Sequence, residues 1–211
     1  MKIKILIFCF TIFLFSQNYA EAKFPIHLGG FKLGDDISNY NNLIDMKTCR
    51  EDTFNKYLGE GEIIRRAGFK SGLIAYGLCD APNKILRIKL KFANSSKSFF
   101  KKLLRRYKKQ LGTPGEYRGD PFQTVIAWKW SFVNDKKEKI SLILQHNTMV
   151  EDEKVGNAVK LTLTSQIEKE RDCFMTKFPE KEKPQVQSKI SKKALWKLFI
   201  QTFITIYKSS K

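Results

Sequence analysis

Apolar and charged residues alternate from Leu86 to Phe92, with Leu86, Ile88, Leu90 and Phe92 on one side and Arg87, Lys89 and Lys91 on the other. Alternation with a period of two predicts a strand over Lys84 to Phe92 that is buried on one face and wetted on the other. Asn94-Ser95-Ser96 then reads as a turn and a helix cap, and the period lengthens. At about 100° per residue, Phe99, Phe100, Leu103, Leu104, Tyr107 and Leu111 fall on one side of a helix. Lys101, Lys102, Arg105, Arg106, Lys108 and Lys109 fill the other side, and Gly112 and Pro114 end it.

Three further strands are predicted: Phe122 to Phe132, Ile140 to His146, and Ala158 to Thr164, the first two joined by a hairpin at Asn134-Asp135-Lys136. Ahead of Lys84 the signals are weaker. An aspartate before Ile37, Tyr40, Leu43 and Ile44 reads as the N-cap of a short helix, and Met46 to Leu58 is irregular. Glu62 to Ala67 and Leu73 to Cys79 read as short strands separated by glycines, and Gln166 to Asp172 as a charged, helical exit. The implied fold class is α+β, an antiparallel sheet with one long amphipathic helix packed on it. No internal repeat is visible.

The two ends differ from this middle. Lys2 and Lys4, the apolar run Ile5 to Phe15, and Ala20-Glu21-Ala22 form the three parts of a secretory signal peptide over residues 1–22, too short in its apolar part to span a bilayer. Residues 23–173 are then a single domain, and 174–193, rich in Lys, Pro, Glu, Gln and Ser, a basic linker. Over residues 194–211 helical periodicity returns, with Trp196, Phe199, Phe203 and Tyr207 on one arc opposite Lys197 and Lys208. A short amphipathic helix of this kind suits a membrane surface or a partner groove, and folding back onto the domain is the alternative.

The formal net charge of +18 favours anionic partners, either an anionic membrane surface or an acidic envelope component. Export argues against nucleic acid. The six cations of the long helix have no acid among them, which marks an anion-binding face, although charge runs are more often simply solvated. Arg87, Lys89 and Lys91 would extend that face only if the outer side of the sheet lies beside the helix.

An exported chain keeps three cysteines, Cys49, Cys79 and Cys173, enough for one disulfide and one odd thiol. Of three possible pairings, Cys49 with Cys79 is favoured, because both lie where short segments and turns most need a staple. Catalytic chemistry is poorly supplied. His27 and His146 are the only imidazoles, and neither has a ligand-spaced neighbour. Glu151-Asp152-Glu153 lacks the alternation of a calcium loop, so neither a metal site nor a cofactor is expected. Glu116 and Asp120 flank a glycine-rich loop and could form an acid pair near a tryptophan. Trp128 and Trp130 share one sheet face, which points to core packing. Asn94-Ser95-Ser96 is formally a glycosylation sequon, but its place at a helix cap is reason enough for it.

The strings Gly68 to Cys79 (GFKSGLIAYGLC), Ile126 to Phe132 (IAWKWSF) and Gly156 to Thr162 (GNAVKLT) resemble segments of uncharacterised exported proteins of anaerobic bacteria. The resemblance covers roughly Phe24 to Cys173 and implies a periplasmic or secreted location, with no activity and no site residues to carry over. The sequence as a whole leads to an exported, non-enzymatic envelope protein that binds through its basic helix face and C-terminal helix. The alternative is a periplasmic ligand-binding protein or hydrolase with its site near the 112–122 loop.

Overall fold

The computed structural model describes residues 24–149 and 156–179. The leading segment 1–22, the acidic triplet Glu151 to Glu153, most of the linker, and the helix expected over 194–211 lie outside these residues. The chain divides into two compact units between Phe174 and Met175, and the described part of the second is residues 175–179.

The fold is α+β. In chain order the elements are β1 (His27–Leu28), β2 (Phe31–Lys32), a 3-10 turn (Ile37–Tyr40), β3 (Ile44–Glu51), β4 (Leu58–Ile63), β5 (Phe69–Gly77), β6 (Ile85–Phe92) and α1 (Lys97–Leu111). There follow β7 (Glu116–Tyr117), β8 (Val125–Val133), β9 (Lys139–Asn147), β10 (Gly156–Leu163) and α2 (Thr164–Lys177). β1 and β2 form a small hairpin, and β3 to β10 form one eight-stranded sheet in the order β3-β4-β5-β6-β10-β9-β8-β7. Every neighbouring pair in it is antiparallel.

This order is a palindrome. Two four-stranded meanders, each followed by a helix, meet at the β6–β10 pair, where Ile88 stands opposite Leu161. The repeat exists in topology and is invisible in the residues. Each helix reaches across to the other meander. α1 follows β6 but lies against β8 and β9, with Phe100 stacked 5.4 Å from the ring of His146 and Tyr107 6.1 Å from Trp130. α2 follows β10 but is joined to the first meander by a disulfide between Cys79 and Cys173.

The register sets the core. Ile74, Ile88, Leu161, Leu142 and Trp130 stand side by side across five strands, all buried on the face that α1 covers. Over the first meander the same face is covered by the chain before β3. An added Cβ at Gly29 would meet Leu90, and Arg66 donates to the Gly29 carbonyl while lying over the rings of Phe31 and Phe69. α2 crosses one end of the strands. Thr164 Oγ1 donates to the Lys139 carbonyl, the Lys139 amide donates to Ser165 Oγ, and Phe174 meets Tyr57. The helix continues past the expected Asp172 to Lys177, so the first residues assigned to the linker are helical.

Two expectations need correction. Cys79 is bonded to Cys173, with Cα atoms 5.9 Å apart, and not to Cys49, which is free. The Cys49 sulfur instead faces Gly61, where an added Cβ would stand 2.9 Å away. The first part of the irregular stretch, from Met46 to Glu51, is strand, the end of β3 on the sheet edge.

Candidate functional site

The long helix is where the periodicity put it. Ser96 Oγ accepts from the Phe99 amide at its start, and Asn94 Oδ1 accepts from both the amide and hydroxyl of Ser96. At its end Gly112, at φ 80°, returns its amide to the Lys108 carbonyl, a conformation that glycine adopts freely. Phe100 and Leu103 are buried, and Trp130 donates its indole N–H to the Gly112 carbonyl. With that side fixed, Lys101, Lys102, Arg105, Arg106, Lys108 and Lys109 are all exposed together. Among the described residues none of the six enters an ion pair with a carboxylate. Lys108 places its amine 5.6 Å over the Trp128 ring.

Arg87, Lys89 and Lys91 do not extend this surface. They alternate with Ile88 and Leu90, so they stand on the opposite side of the sheet from α1. There they meet a lysine that drew no attention in the sequence. Lys160 lies directly across from Lys89, two register positions from the Arg87–Thr162 pair. Its amine is held below the usual lysine range by burial, and then by the charges of Arg87, Lys89 and Arg118. Arg87 Nε and Thr162 Oγ1 are buried without a hydrogen-bond partner among the described residues. Beside this cluster a cavity of about 480 Å³ is lined by Glu62, Ser71, Leu73, Lys89, Lys91 and Gln145, among others.

Two carboxyl groups adjoin the cluster. The carboxyl of Glu60 is pushed up by burial, then by the charge of Asp52 and a hydrogen bond with it, against the pull of Arg87 and Arg50. Burial would raise Asp52 too, but bonds from the Asn55 side chain, the amides of Phe54 and Asn55, and the Glu60 carboxyl outweigh it and lower it.

The loop after α1 uses its acids differently from the pair considered above. Glu116 bridges Arg118 and Lys129, and these ion pairs more than offset its desolvation. Asp120 accepts from the amides of Phe122, Thr124 and Val125 and from the Thr124 hydroxyl, with the Val125 amide contributing most to its lowered pKa. Both carboxylates are thus occupied in holding the loop. Trp128 packs edge-on to Tyr117 on the α1 side of the sheet. His27 is exposed in β1, and His146 is buried against Phe100. Among the described residues no three His, Cys, Asp or Glu side chains could together hold a metal ion, and no helix is long and apolar enough to cross a membrane.

Trp196, Phe199, Phe203 and Tyr207 lie outside the described residues. The surroundings of Lys160 come from strands paired from distant parts of the chain, whereas Asp52 and Glu60 meet across the short connection between β3 and β4, a stretch whose pattern is irregular. The only sequence signal for Lys160 is that it is the one cation on the outward side of β10. No protein-family model matches the chain, and no curated protein or solved structure matches it significantly.

Proposed function

We propose that this chain is an exported, non-catalytic binding protein that docks on an anionic membrane surface through the cationic face of α1. The observation that carries the reading is the arc of six exposed cations on a helix whose other side is locked into the core. An isolated run of like charges costs a few tenths of a kcal/mol per neighbouring pair, about 0.2–0.5, unless an anion offsets it. Near an anionic bilayer each such residue is worth about 1 kcal/mol, so the arc could supply several kcal/mol with no apolar insertion. The leading segment with its signal-peptide pattern and the Cys79–Cys173 disulfide support an oxidising, exported location. The resemblance to exported bacterial proteins supports a periplasmic or secreted site. The basic linker and the residues Trp196, Phe199, Phe203 and Tyr207 would add an interfacial anchor.

The test is sedimentation with vesicles of phosphatidylcholine alone or mixed with phosphatidylglycerol. Wild type should bind the mixed vesicles, lose binding steeply between 50 and 500 mM salt, about the range over which screening acts, and ignore the neutral ones. A Lys101→Glu, Arg105→Glu, Lys108→Glu variant should bind at least tenfold more weakly. Equal binding by that variant would remove the helix from the function, and equal binding by a chain ending at residue 178 would remove the C-terminal segment.

A further inference from the structure

The cation cluster on the other side of the sheet is costly for the fold and unnecessary for it. Cross-strand neighbours of like charge destabilise a sheet, yet Lys89 and Lys160 are paired directly, with Arg87 beside them. None of these three enters an ion pair with a carboxylate among the described residues. Glu60, whose carboxyl feels the charge of Arg87, is itself pushed toward its neutral form by burial and by Asp52. Arg87 Nε and Thr162 Oγ1, two register positions along from the Lys89–Lys160 pair, are buried without hydrogen-bond partners among the described residues. Among the described residues no ion pair balances these three cations.

The space beside the cluster is of ligand size. A cavity of about 480 Å³ falls within the range of small-molecule sites, about 300–1,000 Å³. Lys89 and Lys91 supply charge to it, Ser71 and Gln145 supply groups that can both donate and accept, and Leu73 and Ala158 supply apolar wall. The single carboxylate, Glu62, suits a hydroxyl-bearing body. Lys89 and Lys91 in the lining, with Lys160 directly across from Lys89, outnumber the charge of a single carboxylate and match a doubly charged oxyanion better.

We propose that this cavity is a binding site for a phosphate monoester of roughly monosaccharide size, its phosphate held at the wall by Lys89, with the charge of Lys160 directly across the strand pair from it, and its hydroxyls by Ser71, Gln145 and Glu62. The site is on the opposite side of the sheet from the α1 cations and does not depend on the membrane reading.

Isothermal titration of the full chain with glucose 6-phosphate, inorganic phosphate, glucuronate and glucose tests it. Glucose 6-phosphate should bind saturably and raise the unfolding temperature, inorganic phosphate should bind more weakly at the same site, and glucose should not bind. Lys89→Met, at an exposed position, should weaken glucose 6-phosphate binding at least tenfold. Lys160→Met should do the same while unfolding at the same or a higher temperature than wild type without ligand. The Lys101→Glu, Arg105→Glu, Lys108→Glu variant should bind the sugar phosphate as wild type does. Absence of saturable binding by either phosphate, undiminished binding by both methionine variants, or glucuronate binding as tightly as glucose 6-phosphate would each overturn the assignment.

Discussion

The amide of Cys79 donates a 2.7 Å hydrogen bond to the carboxylate of Glu170, one helical turn before Cys173, to which the Cys79 sulfur is bonded. Leu78, Asp80 and Ala81 donate their amides to the same carboxylate, which is fully buried. Gly77 makes room for it, since an added Cβ there would stand 2.4 Å from Glu170 Oε1. One turn of α2 therefore grips the loop between β5 and β6 twice, covalently and through four hydrogen bonds. This junction joins the helix that ends the second meander to the first.

Removing either hold should be severe, and removing both should be less than additive. Glu170→Ala orphans four amides in a buried site, a loss of about 3–5 kcal/mol. Reducing the disulfide, which closes a sequence separation of 94 residues, should cost about 4–5 kcal/mol in the chain-entropy model. Because both act on the same loop, a double-mutant cycle in urea should show a coupling of about 1 kcal/mol or more. Independent effects would mean that the loop keeps its shape when one hold is lost.

A second buried polar contact fixes the start of α1. Asn157 Nδ2 donates to the carbonyls of Asn94 and Ser96, which leaves its Oδ1 as the acceptor facing His146 Nδ1 at 2.8 Å. His146 therefore carries its proton on Nδ1, and the ring stacks on Phe100. Asn157→Ala should destabilise the domain by about 2–3 kcal/mol. Amide hydrogen exchange should quicken first in residues 97–100, while α2 keeps its protection.

How much of this could be read from the chain depended on whether a segment had one buried side. β6 and α1 were legible because charged residues mark the outer face of each, leaving an unbroken inner one. β3 was not, because only Ile44 of its eight residues is buried, and an edge strand with no inner face has no period to show. Phe122 fits the alternation of β8 and is nevertheless 87 % exposed, since the side chain of Asp120 captures the local amides and turns the chain before Val125. The disulfide departs from expectation for a related reason: Cys49 and Cys79 both lie among the short segments and turns that most need a staple, but the partner of Cys79 is delivered by a helix that follows the last strand. The surroundings of Lys160 arise only when β10 pairs with β6, which no local pattern announces.

The Asp120 turn gives a prediction of its own. Asp120→Ala should speed exchange of the Phe122, Thr124 and Val125 amides, read by two-dimensional NMR, and leave α1 unchanged. The carboxylate is held below its usual range, foremost by the Val125 amide, so its contribution is present above the ordinary aspartate pKa and fades as pH falls through the lowered value. In wild type the same three amides should therefore lose protection in acid while neighbouring strand amides keep theirs.

The sign of the pH dependence at Lys160 separates a tolerated lysine from a costly one. Burial and its cationic neighbours hold the amine below the usual lysine range in the folded chain. Between that lowered value and the ordinary one, about 10.4, the unfolded chain binds more protons than the folded one, so this group makes stability rise with pH there. Lys160→Met removes the effect. At pH 7 the variant should be the more stable form, by up to about 1 kcal/mol, the scale of like-charge repulsion between cross-strand neighbours. That advantage should shrink as pH is raised toward 10. The raised hydroxyls of Tyr40, Tyr76 and Tyr107 and the raised thiol of Cys49, for all four of which burial is the leading cause, titrate alike in both proteins and cancel in the difference. Urea unfolding of the two forms at half-unit steps from pH 7 to 10 measures it, and a difference that stays flat or grows would mean that Lys160 is not strained by its neighbours.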